Sequence, residues 1–412
     1  MISSQLQGFK AASLYLISNK RRTLLSLIIV AIAIFALTAA AGFGLFTYQS
    51  LERSTANDVG HITLSQPGYF EREEEMPLQN GIAQYQTLNG LLSQTLETKG
   101  IQPRIYFSGL ISNGRKSSIF VGNGVEPSEF VLREDFIGLQ TGSALTESSE
   151  DGIMIANELA NNLSVRVGDW VTLLATTTDG VLNAMDFQVV GTYSTGVPEL
   201  DKRQIHVRLS SAQSLLASDK VSAVSLYLGD TKLTDSASMA VTKALNADPA
   251  FANLQLTPWY ERAFFYNKVR GLYNGIFGVL GIVLGLVVFV ALFNTMSMTV
   301  SERTREIGAL SAMGSYPREI IAMFVRESIL IGMLGSVAGA LFAWFATLFL
   351  QVANIQMPPP PGRSEGYPLE LVFSLNVATY VGIAVIIICV FAAFISARKG
   401  TKRPITEALA YV

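Results

Sequence analysis

A short segment late in the sequence combines charged and apolar side chains at a spacing that suits docking to another protein. It carries four charged residues, an apolar stripe and two glycines, namely Glu302, Arg303, Arg305, Glu306, Ile307, Gly308, Leu310, Met313 and Gly314. Apolar residues that recur every three positions predict an amphipathic helix. Such a helix can insert its apolar stripe into a groove of a partner while the charges set the register. The alternative is a solvated helix under a bilayer, although equal numbers of acids and bases in 299–327 make attraction to lipid weak.

The sequence offers no comparable set of residues for catalysis or metal binding. His61 and His206 are the only histidines, and they lie far apart. A metal site or a Ser-His-Asp arrangement therefore has no support, and His206 is expected at the surface. The only cysteine, Cys389, excludes an intramolecular disulfide. The phosphate-binding pattern G-x-x-x-x-G-K-[ST] does not occur either, so we expect no catalytic residue, no metal and no cofactor bound by this chain.

Four stretches without charged residues are each long enough to cross a bilayer, which takes roughly 20 apolar residues. These stretches lie between Arg22 and Glu52, Arg270 and Glu302, Glu327 and Arg363, and Glu370 and Arg398. The composition agrees, since 50% of the 412 residues are hydrophobic and 15% are charged. A long, mostly polar segment separates the first stretch from the second, which predicts a large domain outside the bilayer. Arg326 and Glu327, adjacent and opposite in charge, are expected at the membrane boundary of the third span.

The charge distribution predicts the orientation of these spans. The first 22 residues carry four basic side chains and no acid, and the tail after Ile395 carries four bases and one acid. The segment from Glu52 to Arg262 carries 25 acids and 15 bases, a net charge of −10. Because basic flanks stay in the cytoplasm, both termini are expected inside and the acidic domain outside. An acidic exterior also argues against nucleic acid as a partner.

Two segments resemble a known family. Residues 294–314 are similar to the FtsX-type permease signature (N/S)-x-M-x-x-x-V-x-E-R-x-(R/K)-E-I-G-x-(L/M)-(R/K)-A-x-G, with Ser311 where the family often has Lys or Arg. The external domain resembles, more loosely, the MacB-type periplasmic domain. That match rests on the predicted helix 156–163, on Val167-Gly168-Asp169 and on the predicted strand 187–191. The resemblance covers essentially the whole chain and implies a dimeric ABC transporter of the mechanotransmission kind.

The expected fold class is an α-helical membrane protein with four transmembrane helices and a large α+β extracytoplasmic domain between helices 1 and 2. The resemblance implies that this domain is two-lobed, as a MacB-type periplasmic core domain. The expected segments are a cytoplasmic amphipathic N-terminal helix (1–22), transmembrane helix 1 (23–48), a periplasmic domain (49–265) with an inserted β-rich lobe at about 140–218, a stalk with transmembrane helix 2 (266–298), a cytoplasmic coupling helix (299–319), transmembrane helix 3 (320–350), a periplasmic loop (351–370), transmembrane helix 4 (371–397) and a cytoplasmic tail (398–412).

Glycines in the second apolar stretch predict close helix packing, because small residues four apart let two helices approach. They are Gly271, Gly275, Gly278, Gly281 and Gly285. The residues alone leave open whether this face packs within the chain or against a second subunit, and the resemblance favours a dimer seam. Gly332, Gly335 and Gly339 in the third stretch are expected to pack within the chain.

The resemblance also implies a function. The chain would be the permease subunit of an ABC transporter in a bacterial inner membrane, and it would relay the motion of a separate cytoplasmic ATPase to its periplasmic domain. ATP and Mg would bind to that ATPase. A hydrophobic cargo, lipoprotein or lipid, fits best, and a drug or peptide remains open.

The other expected partners are a second permease, identical or related, membrane lipid, and a periplasmic cargo or adaptor. An alternative function is an FtsX-like signalling module that activates periplasmic cell-wall hydrolases. FtsX-type external domains are much smaller than this one. A membrane-anchored enzyme is the weakest interpretation, because no active site can be assembled from the sequence.

Overall fold

The computed structural model describes residues 20–71, 77–132, 138–358 and 367–402. The chain divides into two compact units. The helical unit consists of the chain up to Tyr48, Val269–Ile355 and the chain from Pro368. The α+β unit consists of Gln49–Lys268 and Gln356–Tyr367. The amphipathic N-terminal helix expected at 1–22 lies almost entirely outside the described residues, as do the proline-rich turn after Pro358 and most of the tail.

The helices and strands follow one another in this order along the chain. The helices are α1 (Lys20–Val59), α2 (Tyr85–Thr95), α3 (Ser128–Leu132), α4 (Asn157–Leu163), α5 (Pro198–Asp201), α6 (Leu209–Leu216), a 3-10 turn (Thr231–Leu233), α7 (Thr234–Ala247), α8 (Trp259–Arg262), α9 (Phe264–Glu302), α10 (Thr304–Ala312), α11 (Pro317–Ala353) and α12 (Leu375–Gly400). The strands are β1 (Ile62–Ser65), β2 (Gly100–Ser112), β3 (Ser117–Val125), β4 (Gly138–Gly142), β5 (Gly152–Ala156), β6 (Trp170–Thr176), β7 (Leu182–Ser194), β8 (Gln204–Arg208), β9 (Ala223–Tyr227), β10 (Gln255–Pro258), β11 (Gln356–Met357) and β12 (Tyr367–Pro368).

Four helices among the described residues, α1, α9, α11 and α12, are long and apolar enough to cross a membrane. This confirms the four predicted spans. Local sequence explains where the helices end: the Ser374 hydroxyl accepts a hydrogen bond from the Val377 amide at the start of α12, and Arg398 and Lys399 lie in its last turn. A polar cap at the N-terminus and basic residues at the C-terminus both stabilise a helix.

Small residues on α11 bring helices of the helical unit together. A methyl group at Gly335 would come within 2.5 Å of the Val30 side chain, and one at Gly339 within 2.6 Å of the Ala31 carbonyl oxygen. A methyl group at Gly332 would lie 3.1 Å from the Ile386 side chain on α12. The prediction that these three glycines pack within the chain is therefore confirmed.

The α+β unit contains a mixed sheet of ten strands. Nine of them lie in the order β10-β1-β9-β2-β3-β8-β5-β7-β4, and β6 pairs with both β2 and β7. The β3–β8 and β5–β7 pairs are parallel and the others are antiparallel. Strands inside the segment 140–218 hydrogen-bond with strands outside it, and one buried apolar cluster includes residues of both. The sheet therefore runs without a break through the expected inserted lobe.

The strands that connect to α1 and α9 are neighbours in the sheet. Strand β1 follows α1 after two residues, and β10 leads through α8 into α9. The two strands are antiparallel, with Ile62 opposite Pro258. The order of the strands therefore places both connections side by side at one end of the β1–β10 pair.

Candidate coupling site

The predicted docking segment begins where α9 is interrupted at one residue. Arg303 separates α9 from α10, with φ −94° and ψ 14°. Its amide still donates to the Thr299 carbonyl at 3.1 Å, and its carbonyl accepts from the Ile307 amide at 2.9 Å. The Thr304 hydroxyl donates to the Ser301 carbonyl at 2.7 Å and satisfies an acceptor near the end of α9. The interruption is thus a bonded junction and not a loose loop.

A buried ion pair fixes this junction. The Arg303 Nη1 atom lies 3.5 Å from the Glu327 Oε2 atom on α11, and each side chain is only 9% exposed. The guanidinium carbon also lies 6.0 Å from the centre of the Phe324 ring. The sequence did not predict this contact, in which Arg303 brings an opposite charge to Glu327. The expectation that Arg326 and Glu327 lie at the membrane boundary stays a prediction.

The apolar stripe of α10 faces its own chain. Ile307 is 5% exposed and belongs to a cluster of buried residues with Val300, Ile320, Phe324 and Ala397, against which Leu310 packs. Gly308 is also buried. The expectation that Ile307 enters a groove of a partner therefore needs correction, because α11 and α12 already cover that side chain. The role of these residues in coupling stays a prediction.

Another face of α10 is exposed. Glu302, Arg305, Glu306 and Ala309 are exposed, and Met313 is 75% exposed. Glu306, Ala309 and Met313 follow one another at spacings of three and four residues, so they share one side of the helix. This side carries one acidic group, one small residue and one large apolar side chain. Such a surface can dock another protein without disturbing the buried side.

A glycine ends the segment and sets the start of α11. Gly314 has φ +94°, the left-handed conformation that glycine adopts at low cost. Around it, the Ser315 amide donates to the Leu310 carbonyl at 3.0 Å. The Glu319 carboxylate then accepts from the Tyr316 amide at 3.1 Å as α11 begins. Gly314 thus forms the turn between α10 and α11.

The five glycines of the predicted dimer seam differ in their surroundings. Among the described residues, no atom lies within 4 Å of where a methyl group would project from Gly271, Gly275 or Gly278. A methyl group at Gly281 would just touch Leu37, at 4.0 Å, and one at Gly285 would lie 3.2 Å from Ile388. The first three leave room for another helix, whereas Gly285 already packs against α12. Their role as a dimer seam stays a prediction.

Both histidines are buried in the α+β unit. His206 is 4% exposed, and its Nδ1 atom lies 2.8 Å from the Tyr193 hydroxyl. The expectation that His206 is a surface residue was wrong, because the rings of Tyr193 and Phe130 cover it. Burial lowers the pKa of His61 to about 4, with Lys99 adding to the effect and Asp230 opposing it. Among the described residues, no group of three or more His, Cys, Asp or Glu side chains could hold a metal ion.

Sequence reasoning did not single out Arg104 on β2. Its side chain is 5% exposed and forms two hydrogen bonds with the Glu129 carboxylate, at 2.7 and 3.1 Å. Burial alone would lower the pKa of Arg104, but the Glu129 carboxylate raises it well above its usual range. The signal in the sequence is that Arg104 is the only charged residue of β2.

The Val167-Gly168-Asp169 motif forms a tight turn between α4 and β6. The Asp169 carboxylate accepts from the Arg166 amide at 2.8 Å, and Gly168 has φ +97°. The Gly168 amide then donates to the Val189 carbonyl at 2.8 Å. The motif therefore fastens this turn to β7, which explains why its residues occur together with the following strand.

Comparison with known proteins gives this architecture a family. The MacB-like periplasmic core domain matches residues 23–244, and the FtsX-like permease C-terminal domain matches residues 278–405. The lipoprotein-releasing system transmembrane protein LolE of Haemophilus influenzae is 26% identical over 290 residues, which are 66% of each chain. The ABC transporter permease YtrF of Bacillus subtilis is 36% identical over 123 residues, which are 29% of this chain and 28% of that protein.

The solved periplasmic region of MacB from Actinobacillus actinomycetemcomitans is 14% identical and has a TM-score of 0.37, over 50% of this chain and 92% of that one. The chain matches less than two thirds of the length of curated relatives such as LolE and YtrF. The two family matches include residues of both units, and they contain the docking segment and the Val167-Gly168-Asp169 turn. They confirm the resemblance seen in the sequence: the chain belongs to the FtsX-like permeases that carry a MacB-like periplasmic core domain.

Proposed function

We propose that this chain is the transmembrane subunit of an ABC transporter and that α10 is the contact through which a separate ATPase moves it. The observation that carries the proposal is the division of α10 into two faces. One face is fixed to α9, α11 and α12 by the Arg303–Glu327 pair and by Ile307. The other presents Glu306 and Met313 outward. A force applied to the exposed face would therefore pass directly into the helices that hold the buried face.

In this proposal ATP and Mg bind to the ATPase, and α10 lies in the cytoplasm of a bacterial inner-membrane protein with both termini inside. The α+β unit then lies in the periplasm, where its movement extracts or expels a hydrophobic cargo. A lipoprotein or lipid is favoured, because LolE is named for lipoprotein release and shares 26% identity with the chain. A drug or peptide would use the same relay.

A second permease completes the proposed assembly. Large apolar side chains on α9 are exposed, including Leu272, Ile276 and Val279, and lie on the same helix as Gly271, Gly275 and Gly278. An apolar groove of about 730 Å³ between α1, α9 and α12 continues along this helix. Exposed apolar residues beside open glycines suit close packing of a helix from another permease within lipid.

The test is to purify the tagged full chain from its native membrane in mild detergent and to identify the proteins that accompany it. We expect an ABC ATPase with vanadate-sensitive ATP hydrolysis. The variant Met313→Asp should lose this partner, because it places a charge on the exposed face of α10. Met239→Asp is the matched control, because Met239 is 70% exposed on α7 of the α+β unit.

Equal recovery of the ATPase with both variants would refute α10 as its contact. A cell-wall hydrolase in the sample, without an ATPase, would refute the transporter and favour the signalling alternative.

A further inference from the structure

The last turn of α1 is bound by side chains of the sheet. Residues Gln49–Val59 of this helix belong to the α+β unit. Three consecutive backbone carbonyls accept hydrogen bonds: Asn57 from the Tyr227 hydroxyl at 3.2 Å, Asp58 from Arg104 Nη1 at 2.6 Å, and Val59 from the hydroxyls of Thr63 at 2.9 Å and Ser225 at 3.0 Å. The last carbonyls of a helix have no partner within it and carry partial negative charge. Here they are bound by three strands, β1, β2 and β9.

Arg104 is the centre of this arrangement. Besides the Asp58 carbonyl, it donates to both oxygens of Glu129 and to the Tyr227 hydroxyl. Two parallel hydrogen bonds to one carboxylate fix the plane of a guanidinium group. They therefore also fix the direction in which Arg104 Nη1 donates to the Asp58 carbonyl. Glu129 is 1% exposed and lies on α3, which therefore also holds the arginine in place. Buried ion pairs are weak evidence for stability, which makes a positioning role the better account.

The connection between α1 and the sheet is short. Only Gly60 and His61 separate the helix from β1, and Gly60 has φ +86°. A methyl group at Gly60 would lie 2.7 Å from the Ser225 side chain, so the backbone turns in close contact with β9. Strand β1 is itself bonded on both sides, to β9 and to β10. The end of α1 is therefore part of the sheet's hydrogen-bonded structure.

The connection from the sheet to α9 is built differently. Between β10 and α9 lies the four-residue helix α8, which ends at Ala263 with φ −82° and ψ 52°. The Asn267 side chain donates to the Tyr260 carbonyl at 3.1 Å, and the rings of Trp259 and Tyr266 lie 5.3 Å apart. These contacts join α8 to α9 across Ala263, where the helix is interrupted. This connection contains an extra helix, whereas that of α1 contains only Gly60 and His61.

We propose that Arg104, held by Glu129, is a positioning residue that makes the end of α1 and the sheet one rigid body. Any displacement of the end of α1 (Gln49–Val59) then moves the sheet directly. The use of this rigidity in transport rests on the proposed function. The rigidity itself is a property of the chain alone and is tested without a partner.

The experiment measures distances between two spin labels on the purified full chain in detergent. The background variant Cys389→Ala removes the only native thiol. One label replaces exposed Arg53 on α1, and the other replaces exposed Asp186 on β7. A second pair, at Ser117 on β3 and at Asp186, reports the sheet alone. The test variants are Arg104→Met and the double variant Arg104→Met with Glu129→Leu, which leaves no buried charge without its partner.

We expect a narrow distance distribution between the 53 and 186 labels in the background chain. Both test variants should broaden it, while the distribution between 117 and 186 stays narrow. The matched control is Arg208→Met on β8. It removes another Arg–Glu ion pair, between Arg208 and Glu147 at 3.1 Å, and should change neither distribution.

An unchanged 53–186 distribution in both test variants would overturn the proposal. Equal broadening of the 117–186 pair would also overturn it, because Arg104 would then support the fold in general. Because the measurement needs no ATPase, its failure is distinct from failure of the proposed function, which is tested by co-purification.

Discussion

Removal of one partner of the Arg303–Glu327 pair should loosen α10 strongly, whereas removal of both should loosen it much less. At 3.5 Å, two unit charges attract by about 5 kcal/mol at an effective dielectric constant of about 20. The cost of taking both charges out of water offsets most of that attraction. A single truncation leaves the other charge buried without its partner, at a cost of roughly 3–5 kcal/mol. We therefore expect about 3 kcal/mol for Arg303→Met or Glu327→Leu, and about 1 kcal/mol for the double variant.

Hydrogen exchange read by mass spectrometry measures this locally. Peptides that cover Thr304–Ala312 report the opening of α10, and peptides from β2 and β9 serve as an internal reference. A local loss of about 3 kcal/mol corresponds to roughly 150-fold faster exchange, since about 1.4 kcal/mol is tenfold. Arg305→Met is the matched control, because Arg305 is exposed on the same helix and an exposed substitution changes stability by about 0.5 kcal/mol or less.

The reasoning fails if either single variant leaves exchange in α10 within a few-fold of the unsubstituted chain. It fails equally if the double variant exchanges as fast as the single variants. The first result would mean that the pair is too solvated to matter. The second would mean that the side-chain packing of Arg303 on Phe324, and not its charge, holds the junction.

Three further predictions follow from other contacts. Ile307→Ala should lower the local stability of α10 by about 2–4 kcal/mol, because it leaves a cavity among buried side chains. Met313→Ala should change this stability by less than about 0.5 kcal/mol, because Met313 is exposed. The same hydrogen-exchange measurement reports both. The pKa of about 4 for buried His61 lies below its ordinary value of 6.5, so the unfolded chain binds more protons between these values. The contribution of His61 to the free energy of unfolding is therefore fully present above pH 6.5, and about 3 kcal/mol of it is lost as the pH drops to 4. His61→Gln should remove this part of the pH dependence in chemical unfolding curves. Gly275→Leu should weaken association of two permeases in cross-linking without lowering thermal stability, whereas Gly335→Leu should destabilise the chain itself because it collides with Val30.

Periodicity and charge were enough to predict the helical unit. Long stretches without charge can satisfy their backbone only as helices in lipid, so the four spans follow from composition. The close packing of Gly332, Gly335 and Gly339 was predicted as well, because small residues at such spacings let two helices approach. The α+β class followed from the alternation of short strand and helix patterns, whereas the sheet order did not, since it depends on pairing between distant segments.

The direction that each side chain faces was beyond the sequence. Ile307 belongs to an amphipathic stripe, and periodicity shows that the stripe is covered without showing by what. Phe324 and Ile320 cover Ile307. This contact can be predicted only once the turn at Gly314 is known, because that turn sets the position of α11. Likewise, His206 alternates with the apolar Ile205 and Val207 on β8, so the pattern predicted that it lies on the exposed face of the strand. Burial by Tyr193 and Phe130 became visible only with the sheet in place.

Each of the two buried ion pairs lies at the end of a long helix. A long helix ends with unsatisfied carbonyls and a partial negative charge, and a basic group there stabilises it. Arg303 directly follows the end of α9, and Arg104 binds the end of α1; each is held by a buried glutamate from a neighbouring helix. In the proposed transporter, substitutions at these two helix ends should therefore separate ATP hydrolysis by the partner from movement of the sheet.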